Sequence, residues 1–378
     1  MEDFRKHTLD TVRAVNINKI KKLFSGEDTS KDGKIFYKYF IKPRKVIQWG
    51  GLADPFCPYE KRFKVGKKIL QFFADIKYPI SLSTKSTLCA EPEYLDIFKQ
   101  SPETFHVKFS IITNNEEHAK KIEVGVPSPQ QRFDAMKTLS SIGVSTTLRL
   151  RPFMFGTSDK TYVQLIENSA KAGAESMSLE FFCLEMRAGP EIKKRYRHMS
   201  DVLGFNIVEF YKKLSVHPTY LRLNRKIKKP YVIHMRDLSH KNNMTFHVSD
   251  PHFKELGDHG CCCGIPATKN KHFANYCKGQ LTEVITKAKN VPQKEIKIDD
   301  ILKDLEWAKE IDAGKPFNFG SAHGHRVRRH LTLYDFFKNS WNNPNSGKSP
   351  YKYFTGKMKP VRLDKNKNII YKYEEGKE

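Results

Sequence analysis

Between residues 45 and 185, short apolar runs alternate with longer amphipathic stretches, which predicts strands and helices in turn. The run "KVIQWGG" predicts a strand that stops at two glycines. "KRFKVGKKILQFFADI" follows as a helix, with Val65, Ile69, Leu70 and Phe73 near helical spacing. "YPISLSTKS" predicts the next strand, "AEPEYLDIFKQS" a short helix and "FHVKFSIIT" a third strand. In "SPQQRFDAMKTLSSIG", Ser128 is placed to cap a helix, Pro129 to occupy its first turn and Gly143 to follow its end. "VSTTLRLRPFMFG", "KTYVQLIENSAKAGA" and "ESMSLEFFCLE" continue as strand, helix and strand. Five strands separated by helices predict an α/β fold with a parallel sheet, open or curled into a barrel.

Beyond Ala188 the regular alternation stops. "RYRHMSDVLGFNIVEFYKKLSV" predicts a helix, "YVIHMRDL" and "MTFHVSD" short strands, and "GDHGCCCGIPATKNKHFANYCKGQ" a cysteine-rich loop. "IDDILKDLEWAKEIDAG" predicts a helix with Gly314 as its stop, and the tail from Asn342 reads as basic and partly irregular. The expected organisation is a helix and linker at 1–44, a strand-helix unit at 45–190, an α+β extension with the cysteine-rich loop at 191–340, and the tail at 341–378.

Composition narrows the class. The chain has 378 residues, 39% of them hydrophobic and 12% aromatic, enough to bury a core and too many for a disordered chain. Lys and Arg number 67 against 42 Asp and Glu, a net charge of +25. Such a field favours nucleic acid, other polyanions or anionic cofactors, and a generally lysine-rich composition is the plainer cause. No apolar run approaches the roughly 18 residues of a membrane span, and "MEDFRKHTLDTVRAVNINKI" lacks the apolar centre of a secretion signal. A cytoplasmic location away from membranes is expected. Cys57, Cys89 and Cys183 are isolated and Cys261, Cys262 and Cys263 adjacent, which suits reduced thiols or metal ligands better than a secreted disulfide framework.

Parallel sheets collect their functional groups at the C-terminal ends of their strands. Those ends carry Gly50, Gly51 and Asp54; Thr84, Lys85 and Ser86; Ser110 and Thr113; Arg149 and Arg151; and Glu180 and Cys183. Paired glycines let a backbone approach a ligand closely, and they also simply make a tight turn.

In this order and spacing, "WGGLADPFCPYEKRF", "YPISLSTKSTL", "EVGVPSPQQRFDAMKTLSSIGV" and "AGAESMSLEFF" resemble the radical S-adenosylmethionine enzymes, particularly the spore photoproduct lyase-like branch. The resemblance implies a partial (β/α)6 barrel holding S-adenosylmethionine and a [4Fe-4S] cluster at its mouth, with radical chemistry on a substrate that includes nucleic acid among the options. It implies that Gly50 and Gly51 receive the amino group of the methionine moiety, with Asp54 as an anionic partner. Ser110 falls at the position near the ribose and carboxylate, Arg149 and Arg151 are candidates for the carboxylate, and Glu180 caps the last matched strand.

One departure matters. The family holds its cluster with C-x3-C-x2-C upstream of the glycines, because three thiolates leave one iron open. Residues 1–44 contain no cysteine, and that spacing occurs nowhere in the chain. The first strand and its cluster loop are therefore expected to be missing, either because the reading frame is truncated or split, with a separate N-terminal fragment carrying the cluster, or because this is a degenerate, cluster-free paralogue acting as a basic nucleic-acid-binding or assembly protein.

Three further features stay open. Cys261, Cys262, Cys263 and Cys277, with Gly260 and Gly264 as bends, could hold an auxiliary Fe-S cluster or Zn, present a redox or substrate-facing thiol, or be buried as small hydrophobes. His234 and His247 fall in predicted strands and read as structural. "HGHRVRRHLTLYDFF" and "SPYKYFTGKMKP" interleave basic and aromatic residues, which suits phosphate contact and base stacking or a solvated basic face.

Overall fold

Alternation of side chains along each strand decides how the sheet is built. β1 (Ile47–Trp49), β2 (Ile80–Thr84), β3 (Phe105–Ser110), β4 (Ser145–Phe153) and β5 (Ser176–Phe181) lie side by side in parallel, as the pattern between 45 and 185 predicts. The computed structural model describes residues 15–51, 53–215, 217–259, 261–266, 269–291, 295–311 and 332–374. The register places Leu82, Val107 and Phe109 on one face with Leu148 and Met177, and these are fully buried in the main hydrophobic cluster. Ser81, His106, Lys108, Thr147, Ser176 and Ser178 point to the opposite face. A parallel sheet covered on both sides by helices usually reads as nearly continuous apolar runs; these strands alternate because the described helices that bury apolar side chains pack on the Leu82 and Val107 face, and the opposite face is lined by polar side chains.

That face is covered by amphipathic helices. The helix Pro129–Ser141 starts in a capping box, with Ser128 accepting from the Gln131 N–H and the Gln131 side chain from the Ser128 N–H. It buries Phe133, Met136 and Leu139, each worth roughly 1.5–3 kcal/mol relative to exposure. The helix Val65–Asp75 buries Ile69, Leu70 and Phe73 in the same cluster. The stretch expected to be one helix here is two, Pro58–Phe63 and Val65–Asp75, parted at Lys64 with φ 48°.

After β5 the chain forms a short antiparallel pair, β6 (Leu184–Glu185) with β7 (Tyr220–Leu221), and then resumes the alternation. β8 (Thr245–Val248) joins β5 in parallel as the sixth strand, so the order is β1-β2-β3-β4-β5-β8. The expectation that the pattern ends near Ala188 is thus corrected. So is the strand expected at "YVIHMRDL": those residues lie in the helix Arg225–Lys241, capped by Asn224. Its buried positions Lys228, Val232, Met235 and Ser239 recur at three- and four-residue spacing, which the local run Tyr231, Val232, Ile233 obscures. The long helix expected from Arg195 to Val216 is instead Pro190–Leu203 and Ile207–Leu214, separated at Gly204 in the left-handed region.

A second cluster forms around β9 (Glu295–Ile296), β10 (Met358–Leu363) and β11 (Ile369–Tyr373), in the order β10-β11-β9, all antiparallel. The tail expected to be irregular is therefore a hairpin. Asp364 holds its turn by accepting from the Asn366 and Asn368 N–H groups, and buried Trp341 donates its indole N–H to the Ile369 carbonyl at 2.6 Å. The helix expected near residue 300 is broken into Asp299–Leu302 and a 3-10 turn Glu306–Glu310. Its stop, Gly314, lies outside the described residues, as do Gly260 and the basic stretch 323–331. Among the described residues no helix is long and apolar enough to cross a membrane.

Candidate functional site

The glycines at the end of β1 differ in what surrounds them. Gly50 adopts φ 94°, and a Cβ there would lie 2.2 Å from the Ser83 carbonyl oxygen. A side chain is excluded by β2 itself. Gly51 is exposed, with no atom within 4 Å of where its Cβ would be. Asp54 is fully engaged: its carboxylate accepts from the Phe56 N–H at 2.9 Å, the Thr84 hydroxyl at 2.8 Å and the Lys85 N–H at 2.7 Å. It ties the loop after β1 to the end of β2.

The motif "EVGVPSPQQRF" builds a buried ion network beneath the end of β3. Arg132, fully buried, donates to Glu123 Oε2 at 2.8 Å and to the Ser110 carbonyl at 2.6 Å. Lys85 Nζ reaches the other oxygen of Glu123 at 2.6 Å. Glu123, Arg132 and Lys85 thus position the strand end that carries Ser110, a role that the motif alone does not reveal.

A second set of charges sits on the polar face of β3 and β4. Arg149 Nη1 donates to the Ser110 hydroxyl at 3.0 Å, and burial together with the Arg151 charge pulls the Arg149 pKa down. Lys108, 2% exposed, donates to Gln48 Oε1 at 3.1 Å. Burial brings its ammonium down to about 8, against the opposing pull of Cys263 and Cys261. Arg151 meets half-exposed Glu180 at 3.4 Å through Nη1, while its buried Nε and Nη2 have no hydrogen-bond partner. Ser110, Arg149, Arg151 and Glu180 are therefore brought together, and Asp54 is held in other bonds. Lys108 and Gln48 were missed: each lies inside a strand pattern, where only the register of the assembled sheet reveals the face it occupies.

The cysteine-rich loop lies across this polar face. His247 Nδ1 bonds the Cys261 carbonyl at 2.9 Å, Ser178 donates to the Cys262 carbonyl at 3.0 Å, and Thr147 and Ser176 donate to the Gly264 carbonyl at 3.0 and 2.9 Å. Gly264 has φ 68°, and a Cβ on it would stand 2.6 Å from Thr147 Cγ2, so the chain reaches the sheet only with glycine there. Small hydroxyl residues on the strands hold the loop by its backbone and leave the thiols turned along the face.

Cys262 and Cys263 have their sulfurs 3.4 Å apart, and the Cys263 N–H points to Cys261 Sγ at 3.2 Å. Gln48 Nε2 donates to Cys263 Sγ at 3.4 Å, and Cys277 Sγ donates to the His259 carbonyl at 3.4 Å. Hydrogen bonds from Cys261 and Cys262, with the charges of Lys108 and Arg151, hold Cys263 well below the usual thiol range. Burial pushes Cys261 up, and the bond to Cys263 does the same for Cys262. Among the described residues no group of three or more His, Cys, Asp and Glu side chains is placed to hold a metal ion. His247 is buried and doubly bonded, and burial lowers it to about 4. His234 is on the exposed side of its helix, beside the Tyr162 hydroxyl. Cys183 follows β5, with burial raising its thiol.

No family model matches the chain. An uncharacterized protein of Mycobacterium tuberculosis is 26% identical over 171 residues, 41% of this chain and 50% of that protein. Another, of Methanocaldococcus jannaschii, is 30% identical over 119 residues, 31% of this chain and 44% of that one. The chain spans about half the length of the curated relatives it matches. Among solved structures, a mutant spore photoproduct lyase with bound AdoMet and dinucleoside spore photoproduct superposes with TM-score 0.42 and 13% identity, covering 57% of this chain and 65% of that chain. Streptococcus suis SuiB bound to S-adenosylmethionine gives TM-score 0.36 and 11% identity, covering 56% of this chain and 40% of that chain. Likenesses this distant assign no activity.

Proposed function

We propose that this chain is a radical S-adenosylmethionine protein of the spore photoproduct lyase-like kind, and that the C-terminal edge of its sheet, a partial barrel in this reading, binds S-adenosylmethionine. The observation that carries the reading is Arg151, whose side chain is 10% exposed and whose Nε and Nη2 are buried without partners next to Arg149 and Ser110. A buried cation with free donors is costly unless an anion completes it. The carboxylate of the methionine moiety suits that position, with Arg149 and Arg151 as its donors and Ser110 orienting Arg149. Backbone groups at Gly50 and Gly51 are assigned to the ammonium, and Glu180 to the rim. S-adenosylmethionine supplies an activated sulfonium when bound; this chain's own residues bind, orient and shield it.

The residues present do not fit a [4Fe-4S] cluster. The chain lacks C-x3-C-x2-C, and the described thiols form no set placed for a metal. No redox step is assigned to these residues alone, and cluster ligands would have to come from residues outside this sequence. The net charge of +25 favours a second reading, a cluster-free protein that binds nucleic acid through phosphates.

Titration calorimetry separates the two. S-adenosylmethionine should bind the full chain, and Arg151→Met should weaken binding about ten- to a hundredfold, the scale of hydrogen bonds to a charged group. Absence of binding, with nucleic-acid affinity that falls steeply with salt, would favour the second reading.

A further inference from the structure

We propose that Cys262 and Cys263 form a redox-active dithiol, a site at which a hydroperoxide closes a disulfide between adjacent residues. Three observations carry it, none of which depends on the S-adenosylmethionine reading.

The first is proximity: the two sulfurs are 3.4 Å apart, and both residues are partly exposed, whereas Cys261 is 4% exposed. The second is restraint. The segment is fixed on either side of the pair by the Cys261 and Gly264 carbonyls, bonded to His247, Thr147 and Ser176, and within it by the Cys262 carbonyl bonded to Ser178. The thiols therefore meet on a backbone that is already ordered, which spares most of the entropy of bringing two groups together. The third is the setting of Cys263. Its sulfur accepts from Gln48 Nε2 at 3.4 Å and faces the Tyr276 hydroxyl at 4.0 Å, two donors that suit a sulfur carrying negative charge.

The step balances with the peroxide as oxidant. The Cys263 sulfur attacks one peroxide oxygen, an S–O bond forms as the O–O bond breaks, and the departing hydroxide takes the thiol proton to leave as water. The Cys262 sulfur then attacks Cys263, the S–S bond forms as the S–O bond breaks, and the hydroxyl leaves with the Cys262 proton as a second water. Two thiols are oxidised by two electrons, and the peroxide is reduced by two.

Closure has a consequence for the charged face. Gln48 donates to Cys263 Sγ through Nε2 and accepts from Lys108 Nζ through Oε1, so tying Cys263 to Cys262 changes the acceptor at one end of an amide whose other end holds the buried lysine. The dithiol and the cations are one connected arrangement.

The test is to titrate the reduced full chain with hydrogen peroxide, alkylate with iodoacetamide and map the tryptic peptides. Peptide 255–269, "ELGDHGCCCGIPATK", should carry one alkyl group instead of three and weigh two hydrogen atoms less than the singly alkylated reduced peptide, with fragment ions placing that group on Cys261. Cys277, in peptide 272–278, should stay fully alkylated. This reading uses the unmutated protein and does not depend on any variant folding. Cys261→Ser should retain closure, and Cys262→Ser and Cys263→Ser should each abolish it. A crosslink between the two peptides, an alkyl group left on Cys262 or Cys263, or four alkylated thiols throughout the titration would each overturn the proposal.

Discussion

Two sets of buried charge meet at the end of β3, one at the Ser110 carbonyl and one at Lys108 and the Ser110 hydroxyl, and they are finished differently. Around Glu123 each oxygen faces a cation: Arg132 is hydrogen-bonded to Oε2, Lys85 forms an ion pair 2.6 Å from Oε1, and a second Arg132 nitrogen bonds the Ser110 carbonyl. On the polar face Lys108, Arg149 and Arg151 are three cations against one half-exposed carboxylate and a thiol cluster, with two guanidinium nitrogens unanswered. Burial alone marks neither as functional. The teaching difference is completeness: a closed network holds a strand end in place, and an open one leaves capacity for something that arrives.

The largest effect should come from breaking the closed network. Arg132→Met leaves Glu123 buried with only Lys85, and removing one partner of a buried pair costs about 3–5 kcal/mol. Urea denaturation should show it as a lower midpoint at unchanged slope. Arg151→Met is the contrast, because it deletes a cation that has no full complement. Its stability should be unchanged or higher while ligand affinity falls. If both variants lose stability equally, the distinction between the two sets fails.

Lys108 gives a pH signature of intermediate size. Its pKa falls from 10.5 to about 8 in the folded chain, with burial as the main cause. Between those values the unfolded chain holds the proton more tightly than the folded one, so this group makes stability rise with pH from about 8 toward 10.5. Lys108→Met should flatten that rise in denaturation measured across the window. A bound anion favours the charged lysine, so affinity for it should weaken as pH passes about 8.

How far all this could be read in advance depends on where the determining contacts lie. The strands and helices between 45 and 185 were legible because the capping box at Ser128 and the apolar spacing of Ile69, Leu70 and Phe73 are local. The helix Arg225–Lys241 was not, since its buried stripe includes Lys228, which pairs with Asp250, and Ser239, which bonds the Met235 carbonyl. No apolar pattern marks such positions. The hairpin at the C-terminus was hidden for a related reason: "MKPVRL" leaves Lys359 through Leu363 exposed, and its order rests on pairing with β11. At the site, strand ends led to Ser110, Arg149, Arg151 and Glu180. The loop that covers their face, held by carbonyls, comes from more than eighty residues away in sequence.

The smallest expected effect decides what the paired glycines are for. Gly50→Ala places a Cβ 2.2 Å from the Ser83 carbonyl oxygen at a left-handed φ of 94°, so it should destabilise the fold by about 1–3 kcal/mol or more whether or not a ligand binds there. Gly51→Ala meets nothing within 4 Å, and its stability should change by no more than about 0.5 kcal/mol. Any loss of S-adenosylmethionine affinity in Gly51→Ala would then report the ligand's approach to that backbone, since the fold has no other use for the missing side chain. Unchanged affinity in calorimetry would leave Gly50 as a residue that the sheet requires and would move the ammonium away from this strand end.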